Sequence, residues 1–151
     1  MKISVQREDF DLGLEVRNLS KNAKIGAVAS FVGVVREVPM TLEHYAGMTE
    51  REITKIVQEA KARWQVMDCT VIHRFGELKP TDPIVLVAVA SAHRGDAFAA
   101  CEFIMDYLKT RAPFWKKEQR PDGAHWVEAR SSDDEAAGRW GSGVFVERPR
   151  R

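Results

Sequence analysis

The chain has 151 residues, of which 44% are hydrophobic and 30% are charged, a size and composition typical of one domain with its own core. Its 23 Lys and Arg balance 22 Asp and Glu, which argues against a dedicated nucleic-acid binder, because the surface of such a protein is clearly basic. Two cysteines are too few for a disulfide framework. No apolar run is long enough to span a membrane and no signal-peptide core is visible, so we expect a cytoplasmic protein.

The first part of the chain alternates predicted strands and helices. Residues 1–6 are predicted to form an opening strand, and residues 9–19 have the apolar spacing of a short helix. Residues 27–35 form a run rich in β-branched side chains, which is typical of a buried strand. A further strand is predicted at 42–45, after a short connection that contains Pro39.

The next helix is predicted from a capping box at Thr49 and Glu52, whose spacing lets each side chain bond the other residue's backbone amide. The elements predicted after it are a strand at 69–75, a strand at 84–92, a helix at 95–110, hairpin strands at 115–119 and 125–129, and a short helix with a second capping box at 132–135. In the 95–110 helix one apolar stripe is predicted, made of Ala97, Phe98, Cys101, Ile104, Met105 and Leu108. We predict a single α+β domain over residues 1–140 and a loose tail over 141–151.

Cations are concentrated around the strand at 84–92 and the helix that follows it. The candidate set is Arg36, His93, Arg94, Lys109, Lys116 and Lys117. In a chain of balanced charge such a group favours a local site for a small acidic substrate, although each cation taken alone is more simply explained as a solvated surface charge. Arginines would grip a phosphate or carboxylate, and a lysine crowded by cations would have a lowered pKa and could act as a base or nucleophile.

Other kinds of site find little support. Cys69 and Cys101 fall near a strand start and on an apolar helix stripe, so both are predicted to be buried fillers rather than nucleophiles. The four histidines have no metal-site spacing, and the phosphate-loop, nucleophile-elbow and dinucleotide motifs are absent. A phosphate-ester enzyme is therefore the weakest hypothesis, and no metal or cofactor is expected. Trp115 and Trp126 are interpreted as core or interface packing.

Several blocks of sequence, in one order, resemble the large subunit of molybdopterin synthase. The blocks are LEHY at 42–45, GMTE at 47–50, VIHR at 71–74, GEL at 76–78, SAHR at 91–94 and FIMDYLKTRAPFWK at 103–116. The similarity runs from about residue 26 to residue 140, which is most of the chain. Several blocks in the same order are far more specific than any single motif.

The resemblance implies an α/β hammerhead-type fold and a homodimer in which each protomer binds a small ubiquitin-like subunit, giving a heterotetramer. The small subunit carries a thiocarboxylate on its carboxy-terminal glycine, and its sulfur would pass to cyclic pyranopterin monophosphate to build the dithiolene of molybdopterin. By resemblance, Lys109 is the principal catalytic lysine and Lys116 the second. The substrate-binding residues implied in the same way are Arg36, His93, Arg94, Lys117, Glu118 and Arg130.

The chain differs from the family pattern beside the implied substrate site. Val34 stands where relatives commonly have a basic residue, and the connection over 37–41 is shorter than their glycine-containing loop. Loops of this kind enclose reactants and exclude water. The shortened connection keeps a second hypothesis open, in which the chain is a non-catalytic dimeric adaptor that binds a ubiquitin-like tail.

Overall fold

The computed structural model describes residues 1–127 and 131–141. For residues 131 and 132 it describes the backbone only. Within these residues the chain forms eight strands and four helices. In chain order they are β1 (Lys2–Gln6), α1 (Leu12–Leu19), β2 (Ala27–Val34), β3 (Met40–His44), α2 (Met48–Arg63), β4 (Asp68–Arg74), β5 (Gly76–Leu78), β6 (Pro83–Ser91), α3 (Arg94–Leu108), β7 (Phe114–Arg120), β8 (Gly123–Val127) and α4 (Ser131–Gly138). The predicted α+β class is confirmed.

The strands form two sheets. The main sheet has the order β1-β4-β6-β2, with β1 parallel to β4 and the other neighbours antiparallel. The small sheet has the order β5-β3-β7-β8 and is antiparallel throughout. The hairpin predicted around Pro121 is confirmed as β7 and β8, although the last residues predicted for its second strand lie outside the described residues.

The largest core cluster lies between the main sheet and the helices α2 and α3. The helices contribute side chains such as Ile53, Ile56 and Phe103, which pack on β-branched residues of β4 and β6 such as Val71 and Val87. A second cluster covers the opposite face of the main sheet, where α1 packs. A third, smaller cluster joins the two sheets through Val35, Met40, Leu42 and Leu78. Burial of this apolar surface supplies most of the driving force for the fold.

Three local predictions need correction. The helix α2 begins earlier than predicted: the Glu50 carboxylate accepts from the Gly47 amide at 2.7 Å, whereas Thr49 is buried and its hydroxyl donates to the Tyr45 carbonyl. Phe98 is 65% exposed and so does not share the apolar stripe of α3. The strand β2, predicted to be buried, is an edge strand whose neighbour in the main sheet is β6.

Two further predictions fall where the structure gives no account. The second capping box begins at a side chain outside the described residues, and so does nearly all of the predicted C-terminal tail. In the described part of the chain, no helix combines the length and apolar character that a membrane span requires.

Candidate functional site

Lys109 caps the carboxyl end of α3 and is exposed. Its amide still donates to the Met105 carbonyl at 3.3 Å, and the chain then turns through Thr110 and Arg111, both of which bond the Tyr107 carbonyl. The last carbonyls of a helix carry partial negative charge, which stabilises an ammonium group there. The sequence of α3 therefore places Lys109 at the rim of the core, where the helix ends.

The turn after Lys109 is fastened to α2 by Arg111. Its guanidinium donates to Glu52 at 2.8 and 3.0 Å and to Glu59 at 2.5 Å, and it lies over the Tyr107 ring. Partial burial alone would lower the pKa of Arg111, but the hydrogen bonds to Glu59 and Glu52 raise it above its usual value. Arg111 is therefore a fixed cation that anchors the segment between the two candidate lysines.

Lys116 and Glu118 lie on one face of β7. Their side chains form an ion pair at 3.2 Å, and Arg120 bonds the other oxygen of Glu118 at 3.0 Å. Partial burial opposes ionisation of Glu118, but the hydrogen bonds from Arg120 and Lys116 hold its pKa below the usual range. The cross-strand partner of Lys116 on β3 is Leu42, so the lysine borders the cluster that joins the two sheets.

Lys117 lies on the opposite face of β7, because successive strand residues alternate between faces. Its ammonium sits over the Trp126 ring, 5.4 Å from the centroid. The structure thus groups Glu118 with Lys116 and separates Lys117 from both. Trp115, also on that opposite face, packs edge-on against Tyr45 and remains partly exposed.

A histidine near Lys109 stacks on a phenylalanine of β7, the strand that carries Lys116. The His73 ring stacks on Phe114 with centroids 3.7 Å apart and planes 18° apart. Burial lowers the pKa of His73 to about 4, and the nearby charges of Lys109 and His44 contribute in the same direction. Lys109 is therefore near an uncharged aromatic contact whose phenylalanine lies two residues before Lys116 on β7.

His93 and Arg94 lie at the other end of the main sheet from Lys109. They mark the amino end of α3, whose 15 residues extend about 22 Å at 1.5 Å per residue. Both side chains are exposed. Within one protomer the structure does not bring them to the lysines.

Arg36, by contrast, is at the lysine end. Arg36 and His93 belong to one candidate set in the sequence, and each follows a strand, but β2 and β6 are antiparallel, so their carboxyl ends lie at opposite ends of the sheet. The Val35 amide, just before Arg36, donates to Asp82 where β6 is about to begin. One protomer therefore does not bring Arg36 and His93 together.

A cleft of about 750 Å³ opens along the small sheet. Its lining residues are Arg7, Thr41, Leu42, Glu43, His44, Phe75, Gly76 and Glu77. His44 connects the cleft to the lysine segment, because its ring lies 4.4 Å from Phe75 and 6.1 Å from Phe114. His44, a lining residue of the cleft, is thus also a neighbour of the Phe114 ring that stacks on His73.

Of the remaining predicted residues, Arg130 lies outside the described residues. Cys69 and Cys101 are buried, and burial raises the pKa of each thiol to about 12; the prediction that they are fillers is confirmed. Within residues 1–127 and 131–141, no three His, Cys, Asp or Glu side chains group as a metal site requires.

Sequence reasoning missed the roles of Arg111, His73 and Phe114. One signal was available for His73, which follows Cys69 and Val71 at the period of two that marks the core face of a strand. A histidine at such an inward position needs a reason. For Arg111 no local pattern identifies the partner carboxylates, because they lie more than 50 positions earlier.

These features define the chain as a two-sheet α+β protein with one candidate lysine at the carboxyl end of α3 and a second on β7, the strand that follows it. The model of the MoaE protein family matches residues 5–111. Molybdopterin synthase catalytic subunits from Ralstonia nicotianae and Escherichia coli are 58% and 53% identical over 147 and 146 residues, covering 92% of this chain and 84% and 97% of the relatives. The Molybdopterin biosynthesis MoaE protein from Burkholderia ambifaria superposes with a TM-score of 0.82 at 58% identity, covering 93% of this chain and 99% of that one. The chain belongs to the MoaE protein family, which confirms the resemblance inferred from the sequence motifs.

Proposed function

We propose that the chain is the catalytic subunit of a molybdopterin synthase. It would transfer sulfur from the carboxy-terminal thiocarboxylate of a small ubiquitin-like subunit to cyclic pyranopterin monophosphate, forming the molybdopterin dithiolene. The observation that carries the proposal is family membership over residues 5–111, together with the position of Lys109 near His73, whose ring stacks on Phe114 two residues before Lys116. The matched relatives are named for this activity.

The chemistry of the site fits an anionic sulfur donor. A thiocarboxylate tail and a phosphate-bearing precursor both carry negative charge, and ammonium groups held at fixed positions stabilise such charge as it develops. Lys109 is proposed as the principal catalytic lysine and Lys116 as the second, with Glu118 orienting Lys116 through their 3.2 Å ion pair. The buried thiols of Cys69 and Cys101 are poor nucleophiles at neutral pH, and the proposal needs none, because the sulfur arrives on the partner.

Arg36, His93, Arg94, Lys117 and Arg130 remain proposed substrate-binding residues. The separation of Lys109 from His93 and Arg94 along α3 is explained if the two ends meet across the homodimer that the resemblance implies. Each substrate site would then take its lysines from one protomer and its His93 and Arg94 from the other. Such a two-fold arrangement gives two equal sites per dimer.

Mixed dimers test this arrangement. Lys109→Ala and Arg94→Ala chains are each expected to be inactive alone. If the site is shared, mixing them in equal amounts with subunit exchange restores about a quarter of wild-type turnover, because half the dimers are mixed and each has one intact site. If both residues serve a site within one protomer, the mixture stays as inactive as its parts.

The activity itself is tested by a defined sulfur-transfer assay. It combines the full chain, a thiocarboxylated small subunit and cyclic pyranopterin monophosphate, and it measures dithiolene product. Lys109→Ala should abolish turnover while leaving partner binding intact, and Lys24→Ala, which removes an exposed lysine outside the site, should turn over normally. Loss of product in both variants alike would contradict a specific role for Lys109.

The second candidate function is a non-catalytic adaptor for a ubiquitin-like tail. One observation favours it: β2 and β3 are joined by only five residues, Val35 to Pro39, with Glu37 in a left-handed conformation at φ 72°. A connection this short offers little to close over a substrate. Tight binding of the small subunit by an unmodified chain that makes no dithiolene would favour the adaptor.

The proposed function includes a cytoplasmic location, which the two free thiols support.

A further inference from the structure

His73 is a partly buried histidine that the proposed function leaves without a task. It is the penultimate residue of β4, an inner strand of the main sheet, paired with Val5 on β1 and Val85 on β6. Alternation along β4 puts His73 on the same face as Cys69 and Val71, which the helices α2 and α3 cover. At this end of the sheet that face meets the end of α3.

The contacts of the His73 ring fix both its orientation and its tautomer. Nδ1 lies 2.9 Å from the Arg74 carbonyl oxygen, and because a carbonyl only accepts, Nδ1 must carry the proton and Nε2 the lone pair. One face of the ring stacks on Phe114 at 3.7 Å. Phe114 is the first residue of β7, two positions before Lys116, so the stacked pair lies beneath the start of that strand.

The groups that act on His73 come from three elements. Lys109 at the end of α3 and His44 on β3 both disfavour a positive charge on the His73 ring. The Arg74 carbonyl on β4 accepts a hydrogen bond from Nδ1 of that ring. Burial is the largest influence and also lowers the pKa of His73. The ring is therefore uncharged near neutral pH, and it adds no second cation next to Lys109.

We propose that His73 is a positioning residue for both lysines: its uncharged ring supports Phe114 at the start of β7 and so sets Lys116 relative to Lys109. This inference rests on the proposed function, since the geometry it maintains is that of the sulfur-transfer site. His73 acts through Phe114 and need not touch a substrate. What the site requires of residue 73 is thus a flat, uncharged side chain that stacks, whether or not it can carry a proton.

Three variants of the full chain separate stacking from proton transfer. His73→Ala removes the ring, His73→Gln keeps an amide that can donate to the Arg74 carbonyl, and His73→Phe keeps a flat ring that cannot titrate. With the thiocarboxylated small subunit and cyclic pyranopterin monophosphate, kcat should fall about tenfold or more in the Ala and Gln variants with KM changed by about twofold or less. The Phe variant should stay within about threefold of wild type, with an unchanged pH–rate profile. A Phe variant as slow as the Ala variant would overturn the proposal, because the imidazole would then be needed for its proton.

A second measurement does not depend on turnover. Lysines of the isolated chain are reductively methylated with ¹³C, and the Lys109 and Lys116 signals are assigned with Lys→Arg variants. The Ala and Gln variants should shift both signals and the Phe variant should leave them near their wild-type positions. Unchanged signals in a folded Ala or Gln variant would overturn the positioning role. A wild-type chain without turnover would refute the proposed function, and the lysine signals would still decide the role of His73.

Discussion

The anchor between Arg111 and α2 gives a quantitative prediction. Arg111→Ala removes a guanidinium that bonds Glu52 at 2.8 and 3.0 Å and Glu59 at 2.5 Å, with side chains of Arg111 and Glu52 that are 29% and 25% exposed. Charge-assisted hydrogen bonds of this kind contribute about 1.5–3 kcal/mol when desolvated and under about 1 kcal/mol when exposed. Because the Arg111–Glu52 pair is only partly buried, its contribution lies between these limits, and we expect the free energy of unfolding to fall by about 2 kcal/mol. The melting temperature should drop by about 5 °C.

The chain provides a matched control for this variant. Lys55 also pairs with Glu52, but at 3.8 Å and with a side chain that is 66% exposed, so Lys55→Ala should cost less than about 0.5 kcal/mol. The free energy of unfolding of both variants is measured by urea unfolding at pH 7.5, with and without about 0.5 M salt, which shortens the Debye length to roughly 4 Å and screens exposed ion pairs. Equal losses in the two would refute the reasoning that burial and bidentate geometry distinguish the pairs. Turnover should also fall in Arg111→Ala alone, since the turn that carries Lys109 loses its anchor.

Three other outcomes follow from buried or closely packed groups. The pKa of His73 is about 4 in the folded chain and 6.5 as its ordinary value, so below pH 6.5 the unfolded chain binds a proton that the folded chain does not, and the free energy of unfolding falls as the pH drops. At pH 5 the loss should be about 2 kcal/mol. The urea midpoint of His73→Phe should depend less on pH over this range. A Cβ at Gly26 would lie 2.3 Å from the Ala92 carbonyl oxygen, so Gly26→Ala should lower the free energy of unfolding by about 2 kcal/mol, and an unchanged urea midpoint would contradict that close approach. Cys69 and Cys101, with thiol pKa values raised to about 12 by burial, should resist alkylation at pH 8 in the native chain and react once it is unfolded; rapid native labelling would show that a thiol is accessible.

Local periodicity was enough to predict the order of the longer elements. The helix α3 and the strand β6 were predicted within a few residues of their observed bounds, because each buries a continuous apolar face. The three-residue strand β5 was missed, because a segment this short has no periodicity of its own and is stabilised by its pairing with β3. Phe98 was predicted to be buried but is exposed, because helical spacing alone does not tell which other elements cover the side of the apolar stripe.

The site was predicted in its composition more than in its arrangement. Lys109 and Lys116 follow from cation clustering and from resemblance, and the alternation of β7 then separates Lys117 from Glu118. The placement of His93 at the opposite end of the sheet from Arg36 depends on the antiparallel pairing of β2 with β6, which is a long-range property. Sequence proximity of charged residues to strand ends does not say which end of the sheet each one reaches.

The position of β2 at the edge of the main sheet has a consequence for the solubility of the chain. In the described residues its ladder partner is β6 on one side, so its other side presents backbone amides and carbonyls that any extended chain can pair with. The register shift between Gly33 and Val34 leaves Ile84 of β6 as an extra residue; such a bulge increases the local twist of the pair, and a twisted edge is less prone to aggregate. A Cβ at Gly33 would lie 2.9 Å from the Val85 side chain. Glycine at position 33 therefore leaves room for the Val85 side chain beside the bulge, and variants that remove the bulge should precipitate more readily even where their core is intact.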